Sequence, residues 1–166
     1  MQQGNDHRHS VLFVCLGNIC RSPMAEGAFR AAAQKAGLNV RTDSAGTASY
    51  HIGDTPDPRA IDVAHQNGVD ILGACGRQLA DSDFDEFTHI FALDKANLAG
   101  IRSKAPRNHT AQVSLLLDVL DHRSGDSIAD PYYGDESEFQ ECWNEIGEAV
   151  DELVAKLTHQ NAGLGG

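Results

Sequence analysis

The chain of 166 residues has the length of one domain, and a hydrophobic fraction of 41% is enough for a substantial core. Its formal net charge of -11 argues against nucleic acid as a partner, because binding to a phosphate backbone needs clustered Lys and Arg. No apolar run has the length of a transmembrane helix and four cysteines are too few for a disulfide scaffold, so we expect a cytoplasmic protein without membrane insertion.

The first structured stretch has the order strand, loop, helix. Val11–Val14 is apolar and rich in valine, which predicts a short buried strand. A seven-residue turn follows and begins at Cys15. Ser22 suits the cap position before a helix, so we predict a helix over Pro23–Ala36 that ends at Gly37.

A loop of this kind is typical of an anion site, because unpaired backbone N–H groups and the helix dipole converge there. Arg21 adds a planar fork for two phosphate oxygens, and Gly17 and Asn18 allow the backbone to curl. Cys15 begins the loop, and the field that attracts phosphate also favours a nucleophilic thiolate. A chance pairing of a buried cysteine with an arginine is the alternative, but the surrounding pattern favours catalysis.

The rest of the chain alternates strands with helices. We predict strands at 38–42, 89–93 and 112–117 and helices at 58–67, 81–86, 95–101 and 139–157, with Asp57 and Asp94 as caps and Cys142 on the apolar face of the last helix. The pattern predicts an α/β fold, namely a single domain with a four-stranded parallel sheet, helices on both faces and a phosphate-binding loop after the first strand. The predicted boundaries are a disordered N-terminal tail at 1–9, the domain at 10–158 and a flexible C-terminal tail at 159–166.

The stretch Val11–Met24 closely resembles the signature of the low-molecular-weight protein tyrosine phosphatases, which is Cys, five residues and Arg-Ser near the N-terminus. The resemblance continues at 43–47 (DSAGT), 57–60 (DPRA), 93–98 (LDKANL) and 130–134 (DPYYG), and spans about residues 10 to 157. It implies hydrolysis of phosphotyrosine in proteins, and of small aryl phosphates, through a cysteinyl-phosphate intermediate. We expect neither a metal nor a cofactor.

The resemblance also assigns the reacting groups. Cys15 is the expected nucleophile and Arg21 the phosphate ligand. The departing oxygen needs a proton from a positioned acid, and the family motif Asp-Pro-Tyr-Tyr selects Asp130 over Asp57, which spacing alone does not. The expected phosphate-binding residues are those of the loop: Leu16, Gly17, Asn18, Ile19, Cys20, Arg21 and Ser22.

Further residues have supporting roles by the same resemblance. Asn18 and Ser44 are expected to hold the loop by a hydrogen bond, Ser22 to donate to the Cys15 sulfur, and Asp94 to orient Arg21. Cys20 is either an inert neighbour or the partner of Cys15 in a reversible disulfide. The expected walls of the substrate pocket are Leu16, Ile19, Tyr50, His51, Tyr132 and Tyr133. Ala74 departs from many relatives, which have a histidine there and use it in the network that supports the loop.

Three alternative functions can each be compared with phosphotyrosine hydrolysis through particular residues of the sequence. Arginine phosphatases of similar fold have Thr at the position of Ile19, so Ile19 favours phosphotyrosine. Arsenate reductases share the Cys-x5-Arg loop but need a pair of resolving cysteines, whereas Cys75 stands alone. A non-catalytic phosphate-binding module would lack the Cys, the Arg or the acid. The expected partners are tyrosine-phosphorylated proteins, with a cognate tyrosine kinase as a further candidate, and the expected state is a monomer or weak dimer.

Overall fold

A four-stranded parallel sheet forms the centre of the protein. The computed structural model describes the backbone of residues 9–165 and the side chains of residues 9–160. The strands lie in the order β2-β1-β3-β4. Their bounds are β1 Ser10–Cys15, β2 Arg41–Gly46, β3 His89–Ala92 and β4 Gln112–Leu115. In the register, Phe13 of β1 pairs with Ser44 on one side and Phe91 on the other.

Helices cover both faces of the sheet, so the predicted fold class is confirmed. Their bounds are α1 Arg21–Lys35, α2 Pro58–Gln66, α3 Asp83–Glu86, α4 Lys95–Lys104 and α5 Glu136–Gly165. On the face of α1, α2 and α5, Phe13 packs against Phe29 and Phe91. On the opposite face, Leu12 belongs to a smaller core with Phe84 and residues of β3 and β4. Alternate side chains of β1 therefore enter two separate cores.

Two predicted bounds near the site are wrong. The second strand is Arg41–Gly46 rather than 38–42, because it pairs with β1 up to Cys15 and its polar residues hide the strand pattern. Helix α1 begins at Arg21 with Cys20 at the cap position, and no side chain caps it. Ser22 is not the cap because its hydroxyl is engaged by Asn18 and Cys15.

Other bounds also shift, most of all those of the last helix, which is Glu136–Gly165 rather than 139–157. Asp57 and Asp94 cap α2 and α4 as predicted, each by accepting a backbone N–H of the first turn. The fourth strand ends at Leu115, and the chain continues in two 3-10 turns, Leu116–Val119 and Asp121–Arg123. Cys142 is buried on α5, which confirms its place in the core.

The predicted tails, 1–9 and 159–166, only partly overlap the described residues. Residues 1–8 are outside the described part of the chain, while His9 is buried with its ring centroid 5.8 Å from that of His89. The backbone of α5 continues past residue 158 to Gly165. The domain boundaries and the flexibility of the tails stay predictions. Within residues 9–165, no helix is both long enough and apolar enough to cross a membrane.

Candidate active site

The loop between β1 and α1 curls around the sulfur of Cys15. Asn18 has a left-handed backbone with a φ of 59°, a conformation that asparagine tolerates better than most residues. This conformation lets the Asn18 N–H donate to Cys15 Sγ at 3.3 Å. Gly46 at the end of β2 permits the close approach of the loop, because a Cβ there would lie 2.7 Å from the Leu16 carbonyl oxygen.

A chain of hydrogen bonds supports this loop from below. The Asn18 Nδ2 group donates to Ser22 Oγ at 2.8 Å and to Ser44 Oγ at 3.0 Å. Ser44 Oγ donates to a carboxylate oxygen of Glu26 at 2.7 Å, and the Asn18 side-chain oxygen accepts the Arg77 N–H at 3.0 Å. The structure thus brings Asn18 and Ser44 together as the resemblance implied. Glu26 and Arg77 are members that the sequence did not indicate.

Ser22 lies directly beside the sulfur. Its Oγ is 3.0 Å from Cys15 Sγ and 3.5 Å from the Ala45 carbonyl oxygen. Both hydrogens of the Asn18 amide are already used, so Ser22 Oγ accepts one of them and keeps its own hydrogen. That hydrogen is available to a thiolate at Cys15, which only accepts and is the nearer of the two acceptors.

Arg21 is almost fully buried, and two acceptors fix its orientation. Its Nη1 donates to Asp94 Oδ2 and to the Ile128 carbonyl oxygen, both at 2.7 Å. Burial opposes the positive charge of Arg21, but Cys15 and Asp94 raise the pKa of the guanidinium above its ordinary value. Asp94 also caps α4 by accepting the Asn97 N–H, so it both caps the helix and contacts Arg21.

Asp130 stands at the mouth of the same pocket on the loop before α5. Its Oδ2 is 3.6 Å from Arg21 Nη2, and its Oδ1 accepts the Tyr132 N–H at 3.1 Å. The side chain is 42% exposed, so the carboxyl group reaches both the pocket and solvent. Arg21 therefore lies between two carboxylates, Asp94 below it and Asp130 above it.

Arg59 fastens the Asp130 loop to α2, a role that sequence reasoning missed. Its guanidinium donates to the carbonyl oxygens of Tyr132 at 2.9 Å and Gly134 at 3.0 Å, and it lies over the rings of Tyr132 and Phe139. Hydrogen bonds from Arg59 also lower the pKa of the Asp57 carboxyl. The motif Asp57-Pro58-Arg59 was the available signal, but its local pattern indicated only the start of a helix.

The pocket combines aromatic side chains at its rim with the charged and nucleophilic groups of the two loops. It contains all six residues expected in its walls, together with the expected reacting groups. The lining residues are Cys15, Leu16, Gly17, Ile19, Cys20, Arg21, Tyr50, His51, Asp130, Tyr132 and Tyr133. Of the expected phosphate-binding residues, Asn18 and Ser22 do not line the pocket, and their side chains are buried beneath its floor.

All four cysteines lie in the described part of the chain as free thiols. Burial raises the pKa of the Cys20 thiol well above its ordinary value, and Asp57 and Cys15 act in the same direction. Cys75 is exposed. Among the described residues, no group of three or more His, Cys, Asp or Glu side chains is arranged to hold a metal ion.

Ala74, which stands in place of the histidine that the family resemblance implied, lines a second cavity on the surface. Glu26 and Arg30 line the same cavity. Arg30 contacts Glu26 through a hydrogen-bonded ion pair on one face of α1. The positive partner of Glu26 in this protein is therefore an arginine one helical turn further along.

Comparisons with known proteins show the family of this chain. The family model described as low molecular weight phosphotyrosine protein phosphatase matches residues 10–162. A relative of that name from Schizosaccharomyces pombe is 43% identical over 139 residues, covering 82% of this chain and 88% of its own.

Solved structures are similar as well. A protein tyrosine phosphatase from Entamoeba histolytica superposes with a TM-score of 0.85 at 34% identity, covering 92% of this chain and 99% of its own. A drosophila arginine phosphatase superposes with a TM-score of 0.83 at 30% identity, covering 89% and 96%. The chain belongs to the low molecular weight phosphotyrosine protein phosphatases, a family of phosphoric monoester hydrolases.

Proposed function

We propose that this protein hydrolyses phosphotyrosine in proteins, and small aryl phosphates, with Cys15 as nucleophile, Arg21 as phosphate ligand and Asp130 as general acid and base. One observation carries the proposal. The sulfur of Cys15, the guanidinium of Arg21 and the carboxyl of Asp130 open into one pocket whose rim is aromatic. A negatively charged phosphate on an aromatic ring is complementary to that arrangement.

In the first step, the Cys15 thiolate attacks phosphorus in line with the leaving oxygen. A P–S bond forms, and the bond from phosphorus to the phenolic oxygen breaks. Asp130 gives its proton to that oxygen, which otherwise would leave as a phenolate. Arg21 and the N–H groups of the loop stabilise the charge on the phosphate oxygens in the transition state.

In the second step, a water molecule attacks the cysteinyl phosphate. Asp130, now a carboxylate, takes a proton from the water as the new P–O bond forms. The P–S bond breaks, and its electron pair returns to Cys15 Sγ. The hydroxyl of Ser22, 3.0 Å from the sulfur, stabilises the departing thiolate.

The rim of the pocket supports the choice of phosphotyrosine. Tyr50 and Tyr133 are 73% and 95% exposed, so their rings are available to a substrate ring. The likeness to an arginine phosphatase makes phosphoarginine the second candidate, and Ile19 is the residue that favours phosphotyrosine. We further propose tyrosine-phosphorylated proteins and a cognate tyrosine kinase as partners, a cytoplasmic location, and a monomer or weak dimer.

A substrate panel tests the proposal. We would measure hydrolysis of p-nitrophenyl phosphate and of phosphotyrosine, phosphoserine and phosphoarginine peptides by the reduced wild type and by Cys15→Ser. The expected result is preference for phosphotyrosine, with turnover abolished in Cys15→Ser. No turnover of any phosphoester by the reduced wild type contradicts the phosphatase function. Faster hydrolysis of phosphoarginine supports the second candidate instead.

A further inference from the structure

Glu26 is a buried carboxylate in contact with a surface arginine. The residue is 8% exposed and accepts hydrogen bonds from Ser44 Oγ and from Arg30 Nη2. The side chain of Arg30 is 47% exposed. A carboxylate in such a position needs a compensating positive charge, and Arg30 supplies it.

Other charged groups near Glu26 do not replace Arg30. Asp70 lines the same cavity and is itself negative, and Ala74 carries no charge. Asp43 precedes Ser44 in β2 and is negative as well, and its own ion pair is with Arg77 at 3.1 Å. Arg30 is therefore the positive group in contact with the Glu26 carboxylate.

The hydrogen bonds between Glu26 and the sulfur all run in one direction, because the Asn18 amide nitrogen only donates and a carboxylate only accepts. A carboxylate only accepts, so the hydroxyl of Ser44 must donate to Glu26. The oxygen of Ser44 then accepts from Asn18 Nδ2, which has donors only. The second hydrogen of the same amide goes to Ser22 Oγ, which leaves the Ser22 hydrogen for Cys15 Sγ.

We propose that Arg30 is a positioning residue for catalysis. It holds Glu26 as an oriented carboxylate, and through Ser44 and Asn18 it keeps the Ser22 hydroxyl directed at the Cys15 sulfur. A displaced Glu26 would release the Ser44 hydroxyl and so remove one of the two anchors of the Asn18 amide, which places the Ser22 hydroxyl. The inference rests on the proposed function and adds a surface residue to its machinery.

The effect belongs mainly to the second step of the reaction. The Ser22 hydroxyl stabilises the sulfur most when the P–S bond breaks and the electron pair returns to Cys15. Loss of Arg30 therefore slows breakdown of the cysteinyl phosphate more than its formation. We expect kcat for Arg30→Met to fall roughly tenfold, a factor equivalent to about 1.4 kcal/mol, and kcat/KM to fall less.

The test compares three arginine variants on p-nitrophenyl phosphate, in steady state and in stopped flow. Arg30→Met is expected to show the lower kcat and a larger burst of nitrophenolate before a slow steady state. Arg30→Lys keeps the charge and is expected to recover most of kcat. Arg41→Met is the matched control, because Arg41 is also 47% exposed and paired with a glutamate, but on a surface away from the chain of hydrogen bonds.

A double-mutant cycle tests the route through Glu26. Glu26→Gln is expected to lower kcat in the same way, and Arg30→Met combined with Glu26→Gln to be no slower than Glu26→Gln alone. Wild-type kcat in Arg30→Met, a loss in Arg30→Lys or in Arg41→Met as large as that in Arg30→Met, or additive losses in the cycle each overturn the inference. A wild type without turnover instead overturns the proposed function.

Discussion

At the scale of single residues, the chemistry depends on what surrounds the Cys15 sulfur. The Asn18 N–H and the Ser22 hydroxyl both lie within hydrogen-bond distance of it, at 3.3 and 3.0 Å. Arg21 adds a buried positive charge whose second nitrogen faces Asp130. These groups stabilise a negative sulfur both before it attacks and after it leaves.

Asp130→Ala tests the acid. We expect kcat/KM for a phosphotyrosine peptide to fall by about 10²–10⁴, the usual contribution of a general acid. The loss on p-nitrophenyl phosphate is expected to be smaller, because nitrophenolate is a better leaving group and needs protonation less. Asp126→Ala, on an exposed aspartate of the preceding segment, is the control. Equal losses on both substrates would count against Asp130 as the acid.

Cys20 gives a redox prediction. Peroxide converts a reactive thiolate to a sulfenic acid, which condenses with a nearby thiol to a disulfide and releases water. Because burial raises the pKa of the Cys20 thiol, we expect Cys15 to be oxidised first and Cys20 to close the disulfide. Mass mapping of peroxide-treated protein should then show a Cys15–Cys20 peptide. After the same peroxide treatment, a reductant should restore the activity of the wild type but not that of Cys20→Ala. Absence of that peptide refutes the pairing.

Sequence reasoning reached some of these contacts and missed others for a physical reason. The family motif led to Ser44 and Asp94, and the structure places both in contact with the loop residues expected. Arg59 was missed because its hydrogen bonds go to backbone oxygens 73 and 75 residues away, and no local pattern encodes them. Glu26 was missed because its position on α1 gave no sign that it reaches Ser44 in β2.

At the scale of elements, the loop of Asp130 is held by hydrogen bonds from helix α2. Arg59 at the start of α2 binds its backbone at two carbonyl oxygens, while Asp57 donates its N–H to the Ile19 carbonyl oxygen at 2.8 Å. Helix α2 thus touches both the acid loop and the phosphate loop. The start of one helix therefore connects the loop that carries the acid with the loop that carries the nucleophile.

Arg59→Met tests this connection. Methionine preserves contact with Phe139 but removes the hydrogen bonds to Tyr132 and Gly134. We expect kcat/KM for phosphotyrosine to fall roughly tenfold, since a displaced acid protonates the leaving group less well. Because Arg59 acts through Asp130, the variant should add little to Asp130→Ala when the two are combined. Additive losses would show that Arg59 acts elsewhere.

The positions of strands were predictable from the sequence where the strand is buried on both faces. β1 and β3 each contain an apolar run that is buried on both faces, 11–14 and 90–92, and their predicted positions agree with the structure. β2 is an edge strand whose first residues, Arg41 to Asp43, are exposed or half-buried. Its residues are polar, so hydrophobic pattern alone did not reveal where it begins and ends.

At the scale of the whole molecule, the larger of the two hydrophobic cores contains both Cys15 of the site and the apolar face of α5, the longest helix. α5 covers the same face of the sheet as α1, and its Cys142 is buried in that core. Burial raises the pKa of the Cys142 thiol to about 12. The protonation of this thiol therefore depends on folding.

A stability measurement at alkaline pH tests this coupling. An exposed thiol in the unfolded chain loses its proton near 8.5, so above that pH the folded state binds more protons. The free energy of unfolding should therefore fall as pH rises, with Cys142 contributing up to about 1.4 kcal/mol per pH unit. Urea unfolding from pH 8.5 to 10 should show a shallower decline for Cys142→Ala. Cys75→Ala, at an exposed cysteine, is the control, and identical slopes in all three proteins contradict the prediction.

The measurement that tests the central claim most directly is capture of the cysteinyl phosphate. We would mix Asp130→Ala with p-nitrophenyl phosphate, quench in acid within the first turnover and locate the added phosphate by peptide mass spectrometry. Without Asp130 as base, hydrolysis of the intermediate is slow, so we predict phosphate on Cys15 and none in Cys15→Ala/Asp130→Ala, which has no nucleophile at that position. Nitrophenolate released with no phosphate on Cys15 would mean that water attacks the substrate directly and would contradict the covalent mechanism.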